Sequence, residues 1–132
     1  MTKTTTTIII PAHNEAGCIY DTLASIYNQT RPADKIIVVD DFSNDGTGEV
    51  IAQNFPDVLV LRPSKNLGSK ALAQNFALFC QHTDGSYVIQ TDTIITIDAD
   101  TTLKEDALEE MLKVFDKRPD LMAGCGTVIP AN

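Results

Sequence analysis

Four short runs of apolar, mostly β-branched residues are spaced along the chain. Each run is almost continuously apolar instead of alternating with polar residues. That pattern is typical of strands covered on both faces, as the strands of parallel sheets usually are. We therefore predict four buried strands: Ile8 to Ile10, Ile36 to Val39, Val58 to Leu61 and Ile94 to Ile97.

Between and after these runs, apolar residues recur at the spacing of one helix face. Pro32, Pro56 and Pro119 follow three of the predicted helices, where a proline can end a helix. Thr102 and Glu105 have the spacing of a capping box and predict the start of the last helix. The three predicted core-facing sets are Ile19, Leu23, Ile26 and Tyr27; Leu72, Phe76, Phe79 and Cys80; and Leu108, Met111, Leu112 and Phe115.

The predicted order is strand then helix, four times over, followed by a final strand from Leu121 to Ile129. This regular alternation predicts a doubly wound α/β fold with a mostly parallel sheet. Tyr87 to Ile89 would add a short extra strand after a turn at Asp84 and Gly85. No linker or internal repeat divides the chain, so we expect residues 1–132 to form a single domain with one core.

The charge balance excludes one class of partner. The chain carries a formal net charge of −8 and has a pI of about 4.5. Nucleic-acid binding needs clustered Lys and Arg, so we expect no nucleic-acid partner. Nucleotides remain possible ligands, because a metal ion and backbone amides can hold their phosphates.

The cysteines and the apolar runs bear on location. Cys18, Cys80 and Cys125 are scattered and lack metal-ligand spacing, which favours a reducing compartment and buried, unreactive thiols. No apolar run approaches the roughly 20 residues needed to cross a bilayer, and the N-terminal segment lacks the features of a secretory signal. We expect a cytoplasmic protein with no transmembrane segment in this chain, although a longer parent protein could associate with a membrane.

Polar segments follow all four apolar runs, at positions 11–15, 40–47, 62–68 and 98–102. In open α/β sheets, ligands bind beyond the carboxyl ends of the strands. Two of the four segments contain paired acids, Asp40 with Asp41 and Asp98 with Asp100. The sequence therefore predicts a polar binding site along this edge of the sheet.

Asp98 and Asp100 are the strongest candidates for metal binding. Residues two apart at a strand end point to the same side. Two carboxylates about 5–6 Å apart repel each other by about 3 kcal/mol at an effective dielectric constant of about 20. A divalent cation between them removes that cost. The alternative is that one acid caps the next helix while the other is solvated.

Two common nucleotide-binding motifs, the GxGxxG turn and the GxxxxGK[ST] loop, are missing. Four other segments, in order and covering nearly the whole chain, resemble the family 2 glycosyltransferases, which have the GT-A fold. The last of them is similar to that family's Asp-x-Asp signature. The segments are IIIPAHNE (Ile8 to Glu15), VVDDFSNDGT (Val38 to Thr47), NLGSKALAQN (Asn66 to Asn75) and ITIDADT (Ile95 to Thr101).

The resemblance implies a binding site for a nucleotide-diphospho-sugar, with UDP-sugar as the expected donor. Asp41 would accept a hydrogen bond from the uracil imide, and Lys70 would lie near the diphosphate. Asp98 would face the ribose or the sugar and metal, and Asp100 would be the principal ligand of Mn²⁺ or Mg²⁺. The remaining implied donor-binding residues are Pro11, Ala12 and His13 around the base and ribose, and Glu15 as a brace for the loop.

Several of these residues have simpler explanations. Asn14 could be a helix N-cap and Glu15 a favourable acid in the first helical turn. Asn44 and Asp45 could cap the second helix. Lys70 could be a solvated helix charge.

Inverting transfer also requires a base that deprotonates an acceptor, and no later Glu-Asp motif of the family follows Asp100. We therefore expect the nucleotide-sugar-binding half of such an enzyme, without the acceptor-binding C-terminal part and with an unknown acceptor. Apolar surface left uncovered would favour homo-oligomers or a partner. The alternatives are a catalytically inactive nucleotide-binding or interaction module and, because ITIDADTT also fits their Asp-x-Asp-x-Thr pattern, a haloacid-dehalogenase-like phosphatase.

Overall fold

The computed structural model describes residues 3–118 and residue 120. Four strands form one sheet: β1 (Thr6–Ala12), β2 (Lys35–Asp40), β3 (Leu59–Leu61) and β4 (Thr93–Thr96). Their order across the sheet is β3-β2-β1-β4, and every neighbouring pair is parallel. The longest strands, β1 and β2, therefore occupy the centre.

Helices cover both faces of the sheet. One face packs against α1 (Ile19–Tyr27), α2 (Thr47–Asn54) and α4 (Ala107–Lys117), and the other packs against α3 (Lys70–Leu78). Successive strand residues point to opposite faces, so one strand can contribute to both layers of the core. The predicted doubly wound, parallel α/β architecture is confirmed.

The centre of the sheet is fully buried, as the continuous apolar runs predicted. Ile8 and Ile10 join the larger core under α1, α2 and α4, while Ile9 joins the smaller core under α3. All three have no exposed surface. At the edges the prediction was less accurate: Val58 precedes β3, Ile97 follows β4, and Ile94 is 41% exposed because β4 is an edge strand in the described part of the chain.

The predicted core face of α3 was wrong for its three large residues, although the fourth, Cys80, does pack against the smaller core. Leu72, Phe76 and Phe79 are all exposed, and the buried residues are Ala73 and Ala77. Small side chains at positions i and i+4 allow the helix backbone to lie close to the sheet, which leaves the large side chains on the outside. We call the Leu72, Phe76 and Phe79 side chains the outer face of α3.

Helices α1 and α4 follow their predicted faces more closely. Ile19, Leu23 and Ile26 of α1 are buried, and so are Leu108 and Leu112 of α4, with Met111 packed beside them. Tyr27 is the exception, because it lies half exposed at the end of α1, where its ring stacks on Phe55 at a centroid distance of 5.3 Å.

The predicted capping box at Thr102 and Glu105 was also wrong. Helix α4 begins at Ala107, with Asp106 in the N-cap position and no side-chain cap. Its first turn is instead tied to α1 by Gln29, a buried side chain whose Oε1 accepts the Leu108 amide at 2.9 Å. Gln29 Nε2 donates to the Ser25 carbonyl of α1 at 3.0 Å and to the Lys104 carbonyl at 2.8 Å.

The predicted extra strand at Tyr87 to Ile89 does not form. A single antiparallel bridge joins Gln81 to Tyr87 across a turn, and Gly85 lies in that turn with φ 88°. The turn at Asp84 and Gly85 is therefore present without a strand after it. The predicted final strand from Leu121 to Ile129 and the Pro119 stop lie outside the described residues.

Two further predictions concern the cysteines and the absence of a transmembrane segment. Cys18 is exposed and Cys80 is partly buried, so the prediction of buried thiols was wrong for Cys18; Cys125 lies outside the described residues. Within the described residues, none of the helices has both the length and the apolar character needed to span a membrane.

Candidate functional site

A cleft of about 280 Å³ lies at the carboxyl ends of the central strands. Its wall includes seven of the eight residues that the sequence predicted for the donor: Pro11, Ala12, His13, Glu15, Asp41, Lys70 and Asp100. Asp98 is not among its lining residues. The cleft also includes residues that the sequence analysis did not select, namely Asn66, Gly68, Ser69, Ala73 and Ala99.

A second depression, of about 410 Å³, lies at the opposite, amino-terminal end of the strands. It is lined by residues such as Thr5, Lys35 and His82. The amino ends of parallel strands are not where ligands bind in open α/β sheets. We therefore place the candidate site in the smaller cleft, where the predicted residues meet.

Asp41 follows the end of β2 and is almost entirely buried. Its Oδ1 accepts the Leu67 amide at 2.7 Å, and its Oδ2 accepts the Gly68 amide at 3.3 Å. These bonds hold the 66–68 loop, with Gly68 at φ 86°, against the end of β2. A carboxylate has about four lone-pair sites, so it can still accept another hydrogen bond from a ligand.

Two loops are hydrogen-bonded to each other along the cleft: residues 13–16 after β1 and residues 41–47 after β2. The His13 Nδ1–H donates to the Asp41 carbonyl at 2.7 Å, and the Asn14 amide donates to Ser43 Oγ at 2.9 Å. The Glu15 amide donates to Thr47 Oγ1 at 3.0 Å. The position of His13 is thus set by the same turn that carries Asp41.

The simpler explanations for the loop residues have mixed outcomes. Asn14 is not an N-cap: it lies before α1 with φ 54°, and its Oδ1 accepts the Asn44 amide at 2.9 Å. Asp45 does satisfy the start of α2, because its Oδ1 accepts the Thr47 amide at 3.1 Å. The bond from Thr47 Oγ1 lowers the pKa of Asp45, with a further bond from the Ala16 amide.

An arginine that the sequence analysis did not select organises the turn next to Asp41. Arg62, which follows β3, donates from Nη1 to Asp40 Oδ2 at 2.8 Å and from Nη2 to the Ser43 carbonyl at 2.9 Å. Its guanidinium lies over the Phe42 ring, 5.0 Å from the centroid. The sequence signal was available, since an Arg follows the third apolar run and an acid pair follows the second.

The amino end of α3 lines the other side of the cleft. Ser69 caps this helix by accepting the Leu72 amide at 3.2 Å, and Lys70 is the first helical residue. A helix N-terminus and a lysine ammonium both attract phosphate groups. This side of the cleft is therefore suited to a diphosphate.

Asp98 and Asp100 have different surroundings. Asp98 Oδ1 is 3.1 Å from the Lys70 ammonium, and both side chains are more than half exposed. Asp100 is exposed and lines the cleft. No three His, Cys, Asp or Glu side chains among the described residues are grouped closely enough to hold a metal ion by themselves.

This donor set fits a metal held partly by its ligand. Mg²⁺ is usually bound by one or two carboxylates together with substrate phosphates and water. The cleft has three carboxylates, Glu15, Asp41 and Asp100, and a single lysine. A bound divalent cation would offset part of the negative charge that a diphosphate adds to these carboxylates. Asp100 is suited to supply a protein ligand, whereas Asp98 lies outside the cleft wall and pairs with Lys70.

Comparison with known proteins gives the family. The sequence model of Glycosyl transferase family 2 matches residues 7–131. This chain belongs to glycosyl transferase family 2. That membership sets aside the phosphatase interpretation of the Asp98 segment.

Individual family 2 relatives are much longer than this chain. The poly-β-1,6-N-acetyl-D-glucosamine synthase of Staphylococcus epidermidis is 29% identical in an alignment of 125 residues that covers 89% of this chain and 27% of that protein. The chain therefore spans about a quarter of that relative.

Solved structures agree on the fold. S. aureus TarS in complex with UDP superposes with a TM-score of 0.75 at 21% identity, over 87% of this chain and 33% of that one. The mannosyltransferase PcManGT from Pyrobaculum calidifontis, in complex with GDP-Man and Mn²⁺, has a TM-score of 0.72 at 28% identity, over 87% and 33% of the two chains. The GT-A fold expected from the sequence is confirmed.

Proposed function

We propose that this family 2 domain binds a nucleotide-diphospho-sugar, with a UDP-sugar as the first candidate, together with Mn²⁺ or Mg²⁺, for inverting glycosyl transfer to an acceptor. The observation that carries the proposal is the single cleft that contains the end of β2, the amino end of α3 and Asp100. The base would lie at the end of β2, the diphosphate at the amino end of α3 and the metal at Asp100. The PcManGT complex with GDP-Man and Mn²⁺ supports the metal in a related protein.

Each wall would have one task. Asp41 would accept a hydrogen bond from the imide N–H of uracil, and His13 with Pro11 and Ala12 would bound the base and ribose. Lys70 and the α3 amino end would hold the diphosphate. For Lys70 to do so, its ion pair with Asp98 must open or be shared with the ligand.

The metal would be held by Asp100, with Asp98 as the second protein ligand, and would neutralise the leaving diphosphate. The acids that line the cleft, Glu15, Asp41 and Asp100, then all serve the donor or its loop. We propose that the base that deprotonates the acceptor comes from outside the described residues.

A donor-turnover assay tests the proposal. UDP release is measured from a panel of UDP-sugars with Mn²⁺, for the wild-type chain and for Asp100→Ala. Asp57→Ala, an exposed acid on the α2–β3 connection, serves as the matched control. We expect slow donor hydrolysis by the wild type and the control, and loss of hydrolysis in Asp100→Ala.

The outcomes separate two functions. UDP binding without any turnover would support the alternative, a nucleotide-binding module without catalysis. Turnover that is unaffected by Asp100→Ala would contradict the proposed metal site.

A further inference from the structure

Asp40 is a buried carboxylate that donor binding does not explain. It is 1% exposed and immediately precedes Asp41. A buried charge is costly unless it is paired and hydrogen-bonded. Asp40 has both kinds of partner, because Oδ1 accepts the Ser43 amide at 3.1 Å and Oδ2 accepts Arg62 Nη1 at 2.8 Å.

The surroundings of Asp40 leave little room for it to move. A Cβ placed on Gly48, in the first turn of α2, would lie 3.1 Å from Asp40 Oδ2. The carboxylate is therefore enclosed by α2 on one side and by Arg62 on another. An enclosed anion of this kind can fix the turn that begins with it.

Arg62 contacts three residues of that turn and is absent from the wall of the cleft. Its two terminal nitrogens donate to Asp40 and to the Ser43 carbonyl, and its guanidinium carbon lies over the Phe42 ring. The planar guanidinium can make these contacts together, whereas a lysine ammonium is a point charge without a fork. Asp41 lies between residues that Arg62 holds on both sides.

The turn needs such support. Phe42 has φ 63°, in the left-handed backbone region that residues other than glycine rarely adopt. Such a conformation costs about 1–3 kcal/mol and persists when the surroundings hold it in place. Asp41 also anchors the Leu67 and Gly68 amides, so a shift of the turn would move the 66–68 loop with it.

We propose that Arg62 is a positioning residue: acting through Asp40, Ser43 and Phe42, it fixes the Asp41 carboxylate and thereby sets the affinity for the nucleoside part of the donor. This inference rests on the proposed function for its ligand. The geometric part concerns the ligand-free protein and can be tested separately.

The first arm of the experiment uses no ligand. Hydrogen exchange of the Leu67 and Gly68 amides is compared between the wild type, Arg62→Lys and Arg62→Met, with Arg118→Lys as the matched exposed control. We expect faster exchange at both amides in the Arg62 variants, with protection of the Ile9 amide unchanged. The increase should be larger at Leu67, because the Gly68 amide also bonds Asn66 Oδ1 at 2.7 Å. Arg62→Lys keeps the positive charge next to Asp40, so it should fold even if Arg62→Met does not.

The second arm separates the nucleoside from the diphosphate. Dissociation constants for UDP and for inorganic pyrophosphate, each with Mn²⁺, are measured by calorimetry. We expect Arg62→Lys to weaken UDP binding about tenfold, as expected for a misaligned hydrogen bond to a charged acceptor, with pyrophosphate affinity within about twofold of wild type.

Each outcome decides the inference. Unchanged exchange at Leu67 and Gly68 in Arg62→Lys would overturn it, and so would equal losses of UDP and pyrophosphate affinity, which indicate a general structural role. If the wild type binds pyrophosphate with Mn²⁺ but not UDP, the proposed nucleotide specificity fails together with the affinity part of the inference. Faster exchange at the two amides would then still support the positioning of Asp41 by Arg62.

Discussion

Replacing Asp41 with asparagine changes one atom of the side chain and tests the proposed base site. In the wild type, Oδ1 accepts the Leu67 amide at 2.7 Å and Oδ2 accepts the Gly68 amide at 3.3 Å. The Asn side chain keeps a single acceptor oxygen, which we expect to bond Leu67. Gly68 would retain a partner, because Asn66 Oδ1 already accepts its amide at 2.7 Å.

These contacts predict a small loss of stability and a large loss of affinity. The folded protein keeps the hydrogen bond to the Leu67 amide but loses the negative charge of its acceptor, a cost of about 1 kcal/mol. Binding loses a charge-assisted hydrogen bond to the imide, a cost of about 1.5–3 kcal/mol. The second cost corresponds to UDP binding that is about 10- to 100-fold weaker.

The assay pairs calorimetry of UDP binding with Mn²⁺ and urea unfolding of the same samples. Asp57→Asn is the control, since Asp57 is an exposed acid away from the cleft. An Asp41→Asn protein that binds UDP within about twofold of wild type would refute the proposed contact with the base. A similar loss of affinity in Asp57→Asn would show that net charge alone is responsible.

Three further predictions concern stability. The hydrogen bond from Arg31, with others from Thr4, holds the pKa of Asp116 well below its ordinary value of 3.8. The charged Asp116 therefore stabilises the fold fully above that value and less as the pH falls below it. The difference in Tm between wild type and Asp116→Asn should be largest at neutral pH and shrink in acid, and a constant difference would contradict this. Gln29→Leu removes three side-chain hydrogen bonds, one buried and two partly buried, and should cost about 2–4 kcal/mol in urea unfolding. A cost near zero would show that these bonds contribute nothing. Phe79 is 71% exposed, so Phe79→Ser should change the free energy of unfolding by no more than about 0.5 kcal/mol. A larger loss that disappears at low protein concentration would show that copies of the chain cover the outer face of α3.

The sequence predicted the centre of the fold better than its edges. The continuous apolar runs of β1 and β2 predict burial on both faces of the sheet, and helices pack against both faces. The segment of α3, KALAQNFAL, carries two apolar faces, one small and one large. Periodicity cannot choose between them, because the choice depends on how closely the helix backbone approaches the sheet.

The candidate site was predictable as far as it follows from strand ends. Asp41 is the second residue after the apolar run that ends at Val39, and Asp100 is the third after the run that ends at Ile97. Parallel strands place residues just beyond their carboxyl ends at one edge of the sheet. Arg62 and Gln29 are different, because their roles depend on contacts between segments far apart in the chain. Sequence pattern gives the residue type at these positions but not the partner, so tertiary structure was needed to find them.

Titration of UDP into the wild-type chain, with Mn²⁺ and then with the metal removed by a chelator, tests the central claim most directly. We expect binding of one UDP per chain in the presence of Mn²⁺ and an affinity at least about tenfold lower without it. The absence of binding at millimolar UDP with Mn²⁺ present would contradict a nucleotide-sugar site in this cleft.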